Sequence, residues 1–161
     1  MGSWCQRGAG LLEVLVALGL SSVGMIGLLS LQQQSLDAVK QASWYQTADG
    51  LSQSFLAAVR SNPSAWSTYL AQANSAPSAV SDNACREGGV CSAGQMAQAD
   101  VVYLKALAAR QLPQGRLGVY ACGQDNRAFC VAVAWQGQVP QGCLTADAPK
   151  RRCFRTGITS W

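Results

Sequence analysis

Histidine is absent from the 161-residue sequence. Its absence excludes Ser-His-Asp and Cys-His nucleophilic sites and weakens any metal-binding reading. Charge is also scarce. Only 12% of the residues are Asp, Glu, Lys or Arg, against roughly 25% in an average soluble domain, so some apolar surface is expected to meet lipid or a partner instead of water. The few carboxylates stand apart: Asp82, Glu87, Asp100, Asp125 and Asp147 occupy separated, turn-like positions and make no acid/base pair. No glycine-rich phosphate loop joins a strand to a helix, and Gly88-Gly89 falls in a cysteine-rich stretch. No two cysteines have the C-x-x-C spacing of a zinc knuckle. These exclusions point away from an enzyme, and no catalytic residue, metal or cofactor is expected.

What the chain has is one long apolar run. Val14 to Leu31 is eighteen residues without a charge, and a helix of that length rises about 27 Å, close to the thickness of a hydrocarbon core. The eight residues at the start carry a single charge, Arg7, so the positive-inside rule keeps them cytoplasmic and sends the C-terminal part across. A cleaved secretory signal fits badly, because the run is long, bears Glu13 near its start and has no small-residue cleavage site after it. Cys5 precedes the run instead of following it, which argues against a lipoprotein. Glu13 needs explaining, since a carboxylate near the start of a membrane helix costs a few kcal/mol unless it is paired or hydrated. A cut after Gly8 would free an α-ammonium on Ala9, four residues or about one helical turn from Glu13.

The string Arg7-Gly8-Ala9-Gly10-Leu11-Leu12-Glu13-Val14-Leu15-Val16-Ala17-Leu18 closely resembles the processing site of type IV pilins and the related pseudopilins. That resemblance implies cleavage between Gly8 and Ala9 by a prepilin peptidase, methylation of the new N-terminus at Ala9, and a role for Glu13 in subunit assembly. It also implies an α+β pilin-like fold, with a long N-terminal helical spine packed on a small antiparallel sheet. Two features depart from the family pattern. Ala9 stands where phenylalanine is usual, and the apolar run holds no proline, although Gly19, Gly24 and Gly27 could loosen the helix instead. Over Gln6 to Gln32 the sequence is most similar to PilV-type minor pilins.

Beyond Leu31 the pattern turns amphipathic. Trp44, Ala48, Leu51, Phe55 and Val59 fall on one helical face, with polar residues including Asp37 and Lys40 on the others. The helix is expected to stop near Arg60, because Asn62 precedes Pro63 and the residue before a proline is pushed out of the α region. Residues 11 to 60 would extend about 75 Å if straight. A short second helix is expected from Pro63 to about Gln72, using Trp66, Tyr69 and Leu70 for packing, and then a loop. A third helix is expected over 93–111, capped by Ser92 and stopped before Pro113. Three β-prone runs follow, Arg116 to Cys122, Phe129 to Trp135 and Cys153 to Ile158, separated by Gly, Asn, Asp and Pro. The expected organisation is a leader at 1–8, a transmembrane half-helix at 9–31, an amphipathic half-helix at 32–61 and an exported head at 62–161.

Six of the seven cysteines, Cys85, Cys91, Cys122, Cys130, Cys143 and Cys153, lie in the head. An even number in an exported domain of this size reads as three disulfides formed in an oxidising compartment such as a bacterial periplasm. Six cysteines allow fifteen connectivities. The sequence-local choice pairs Cys85 with Cys91, Cys122 with Cys130 and Cys143 with Cys153. Each bridge then closes a loop of about 7 to 11 residues and contributes roughly 2 to 3 kcal/mol.

The resemblance implies a structural subunit: a minor pilin of a type IV pilus, acting in assembly or initiation at the tip complex. Its implied partners are other minor and major pilins, the prepilin peptidase, the inner-membrane assembly platform and the lipid bilayer. It would sit in the bacterial inner membrane with its head periplasmic, then on the cell surface. A minor pseudopilin of a type II secretion system would look alike through Leu31. A surface or DNA adhesion module is the third reading, on the cluster Lys150, Arg151, Arg152 and Arg155. That cluster lacks interleaved aromatics, so a solvated loop is the simpler reading and nucleic acid is not an expected partner.

Overall fold

The computed structural model describes residues 9–75, 85, 88–122, 128–145 and 153–159. It falls into two units, Met1–Ala42 and Ser43–Trp161. Helix α1 spans Ala9–Ser61. Its residues up to Ala42 make up all that is described of the first unit.

In the second unit, α1 presents the expected stripe to a core. Ala48, Leu51, Phe55 and Val59 are buried, and Trp44 packs against them. The helix ends where proline requires it: Asn62 has φ −140°, and its backbone N–H donates to Val59 O. A short 3₁₀ helix, Pro63–Ala65, leads into α2, Trp66–Asn74. This corrects two boundaries, since the first residues after Pro63 are 3₁₀ and α2 continues two residues beyond Gln72. Tyr69 of α2 is buried, with Trp66 and Leu70 packed beside it. Helix α3 spans Ala93–Gln111, and Ser92 caps it with the reciprocal Gln95 bond of a capping box.

Strands β1 (Arg116–Ala121), β2 (Ala128–Ala134) and β3 (Cys153–Thr159) form an antiparallel sheet in the order β1-β2-β3. The register aligns Val119 with Val131 and Ala134 with Cys153. Central strand β2 is covered on both faces, which explains its unbroken apolar sequence. Val131 and Val133, with Trp135 just beyond the strand, join the core made with α1, α2 and α3. Ala132 and Ala134 point the other way, toward Cys143 and Leu144 of a 3₁₀ helix, Pro140–Leu144. That second cover was not expected from the sequence.

Candidate functional site

The feature that sets the first unit apart is unprotected apolar surface. From Leu11 to Leu31 every large apolar side chain is at least half exposed, from 53% at Val16 to 71% at Leu20. Transferring each from water to lipid or to a packed interface gains roughly 1.5 to 3 kcal/mol, so the segment is strongly driven toward one or the other. Its most apolar 18-residue window has a mean hydropathy of 2.2, long and apolar enough to cross a membrane. Polar groups in the run are turned inward on the helix itself. The hydroxyls of Ser21, Ser22 and Ser30 donate to the carbonyls of Ala17, Gly19 and Gly27 at 2.8, 2.8 and 2.9 Å. Serines bonded back in this way expose no unsatisfied donor to lipid.

Glu13 lies near the start of this surface and is exposed. Among the described residues it forms no hydrogen bond or ion pair within the chain. Gly8 lies outside the described residues, and Ala9 is the first residue of α1. No added Cβ at Gly10, Gly19, Gly24 or Gly27 would meet another atom within 4 Å, so within one chain these glycines leave open space along the helix.

In the second unit the cysteines pair locally. Cys85–Cys91, Cys122–Cys130 and Cys143–Cys153 have Cα separations of 5.7, 5.6 and 5.5 Å, inside the range a disulfide spans. Cys122–Cys130 closes the β1–β2 hairpin, and Cys143–Cys153 ties the 3₁₀ helix over Ala132 and Ala134 to the first residue of β3. Of the basic cluster, Lys150, Arg151 and Arg152 lie outside the described residues, while Arg155 donates to Leu144 O at 3.2 Å.

Two polar clamps hold this unit together, and neither was foreseen from the sequence. The Asn74 side chain at the end of α2 meets β1 at its outer edge, accepting from Val119 N–H at 3.0 Å and donating to Val119 O. The buried Tyr69 hydroxyl lies 2.9 Å from Asp100 Oδ2 and 3.2 Å from Ala58 O, joining α2 to α3 and α1. Asp100 lies within α3, where the helix expected over 93–111 places it, and not in a turn.

A family model described as Tt1218-like, type IV pilin Tt1218, matches residues 30–102. No curated protein and no solved structure matches the chain significantly. The matched span runs from the end of the apolar run through α2 and the Cys85–Cys91 loop into α3. It overlaps the Gln6–Gln32 processing-site resemblance by only a few residues. Together with a long N-terminal helix, a small antiparallel sheet and three disulfides, the match supports a type IV pilin, a structural subunit that assembles with other pilins.

Proposed function

We propose that the chain is a minor pilin that enters the tip or initiation complex of a type IV pilus. The observation that carries this reading is the convergence of two almost separate segments on one family: the Gln6–Gln32 resemblance to PilV-type minor pilins and the pilin match over residues 30–102. In this reading residues 1–8 are a leader removed after Gly8 by a prepilin peptidase, and Ala9 becomes the methylated N-terminus. Residues 9–31 hold the subunit in the inner membrane, 32–61 continue the helix, and 62–161 form a periplasmic head. The exposed apolar side chains from Leu11 to Leu31 suit both stages, since a surface that prefers lipid to water also packs against the equivalent helices of other subunits. Partners are then the major pilin, other minor pilins and the inner-membrane assembly platform.

Deletion of the chain tests this. Loss of surface fibres and twitching motility, restored by the wild-type copy, is the expected result. Normal fibres with a block in enzyme export would instead place the chain in a type II secretion system. Normal fibres, motility and export would remove both readings.

A further inference from the structure

Beside the outer edge of β1 lies a cavity of about 440 Å³, walled by the end of α2, one face of α3 and the 3₁₀ helix at Pro140. Cavities of roughly 300 to 1,000 Å³ are the size of organic-ligand sites. Close backbone approaches shape it. An added Cβ at Gly115 would sit 2.1 Å from Ala108 O, and one at Gly118 would sit 2.7 Å from the Tyr120 ring. Glycine at 118 therefore lets the Tyr120 ring lie across the sheet, and both Gly115 and Tyr120 line the cavity.

The wall is mostly apolar, with Val101, Ala106, Ala109, Leu117 and Pro140, but two cations line it as well, Lys105 and Arg116. The Lys105 ammonium donates to the carbonyls of Gln72 and Ser75 at the C-terminal end of α2. An ammonium has three donors, so these two bonds leave one more. Among the described residues neither Lys105 nor Arg116 has a carboxylate partner. Capping α2 explains why a lysine sits at 105, because the negative end of a helix dipole attracts a cation. It does not explain a second cation beside an apolar hollow. Burial lowers the lysine's pKa, and an anion in the cavity would relieve that cost.

We propose that this cavity binds an organic carboxylate, whose charged group lies between Lys105 and Arg116 and whose apolar body rests on Ala106, Ala109 and Tyr120, lining residues that keep accessible surface. An inorganic anion would leave the apolar wall unused, and a neutral apolar ligand would leave both cations unmatched. The carboxylate could belong to a free organic acid or to an acidic side chain flanked by apolar residues, so both sources are probed.

The test uses the full chain in a nonionic detergent, titrated with 4-phenylbutyrate, with its uncharged amide, and with acetyl-Leu-Glu-Leu-amide. Ala106 is exposed and lines the cavity, so Ala106→Phe fills the space while leaving the Lys105 bonds in place. It also controls for probe dissolved in the micelle. The expected result is saturable binding of at least one carboxylate probe, lost in Ala106→Phe at an unchanged melting temperature. The matching amide should bind about tenfold more weakly or worse, the factor for losing one charge-assisted hydrogen bond. Whichever carboxylate binds identifies the source. The proposal is overturned if neither carboxylate saturates, if the amide binds as tightly as the acid, or if folded Ala106→Phe keeps wild-type affinity. Should Ala106→Phe not fold, Arg116→Gln decides, since Arg116 is exposed: several-fold weaker binding supports the site, and unchanged affinity overturns it.

Discussion

The hydroxyl of Tyr69 donates to Asp100 Oδ2 at 2.9 Å, a bond between α2 and α3 made by residues 31 apart in sequence. The same oxygen lies 3.2 Å from Ala58 O of α1, and the Tyr69 ring packs edge to face on Phe55 at 5.8 Å. One side chain thus fixes three helices by both its ring and its polar tip. Tyr69→Phe keeps the ring contact and removes only the donor. A lost hydrogen bond to a charged acceptor costs about 1 to 3 kcal/mol, so the midpoint of chemical unfolding should fall while the slope stays the same. An unchanged midpoint would show that water replaces Tyr69 at Asp100 without loss.

Alkaline stability should depend on the same residue. Burial, and then the hydrogen bond and charge of Asp100, raise the Tyr69 pKa well above its ordinary value of 10.0. The folded chain therefore keeps this proton at a pH where the unfolded chain has lost it. The stabilisation is fully present below pH 10 and is lost as the pH climbs from there toward the folded value. Burial raises Tyr120 as well and acts in the same direction. Lys105, lowered by burial, works oppositely, adding stability as the pH rises toward the ordinary lysine value. Unfolding free energies at about pH 8 and about pH 11 should differ less in Tyr69→Phe than in the wild type. An equal difference in both proteins would assign the alkaline loss to other groups.

The edge of β1 gives a prediction with a local readout. Asn74 serves Val119 as a neighbouring strand would, taking its N–H and supplying a donor to its carbonyl. Asn74→Ala leaves both groups of a fully buried residue without that partner, at a cost of about 1 to 3 kcal/mol after partial rehydration. Exchange of the Val119 amide with deuterium should accelerate more than that of Val131, its partner in the sheet. Equal acceleration at both would indicate general loosening instead of an edge clamp.

The elements that the sequence foretold are those set by neighbouring residues. Pro63 stops α1, Ser92 and Gln95 cap α3, and the stripe Trp44 to Val59 finds the core because helical periodicity is a local property. The cysteine pairs are legible for the same reason, the partners standing only 6, 8 and 10 residues apart in sequence. The clamps are not local. Asn74 is 45 residues from Val119, and Lys105 is 33 from Gln72, so nothing in either segment alone announces the bond. The same holds for the 3₁₀ helix Pro140–Leu144, whose burial depends on small side chains at Ala132 and Ala134 in a distant strand.

Processing should leave Ala9 as the first residue. Arg7-Gly8 directly precedes the glutamate-bearing apolar run, and a cut there removes the leader while keeping the membrane segment. Mass spectrometry of the mature protein should show a chain beginning at Ala9 and carrying one methyl group. Retention of Met1, or a cut after Leu31, would reject the pilin-type processing route.

Glu13→Val should leave processing and membrane insertion intact while impairing entry into the fibre. Glu13 is exposed, as is the whole apolar segment around it, and among the described residues it has no partner within its own chain. Replacing it makes the helix easier to hold in the bilayer by a few kcal/mol on insertion scales, so the protein should still accumulate in membranes. Assembly has the opposite demand. When the helix leaves lipid for a bundle of neighbouring helices, the α-ammonium of Ala9 freed by cleavage needs a carboxylate nearby. Removing one member of a buried ion pair strands the other at a typical cost of about 3 to 5 kcal/mol. A loss of that size lowers an assembly equilibrium by more than about a hundredfold. A glutamate resting at the headgroup level would instead produce no defect on replacement. Quantifying Glu13→Val against wild type in membranes and in sheared fibres separates the two, and recovery at wild-type levels in the fibre fraction would exclude a pairing role for Glu13.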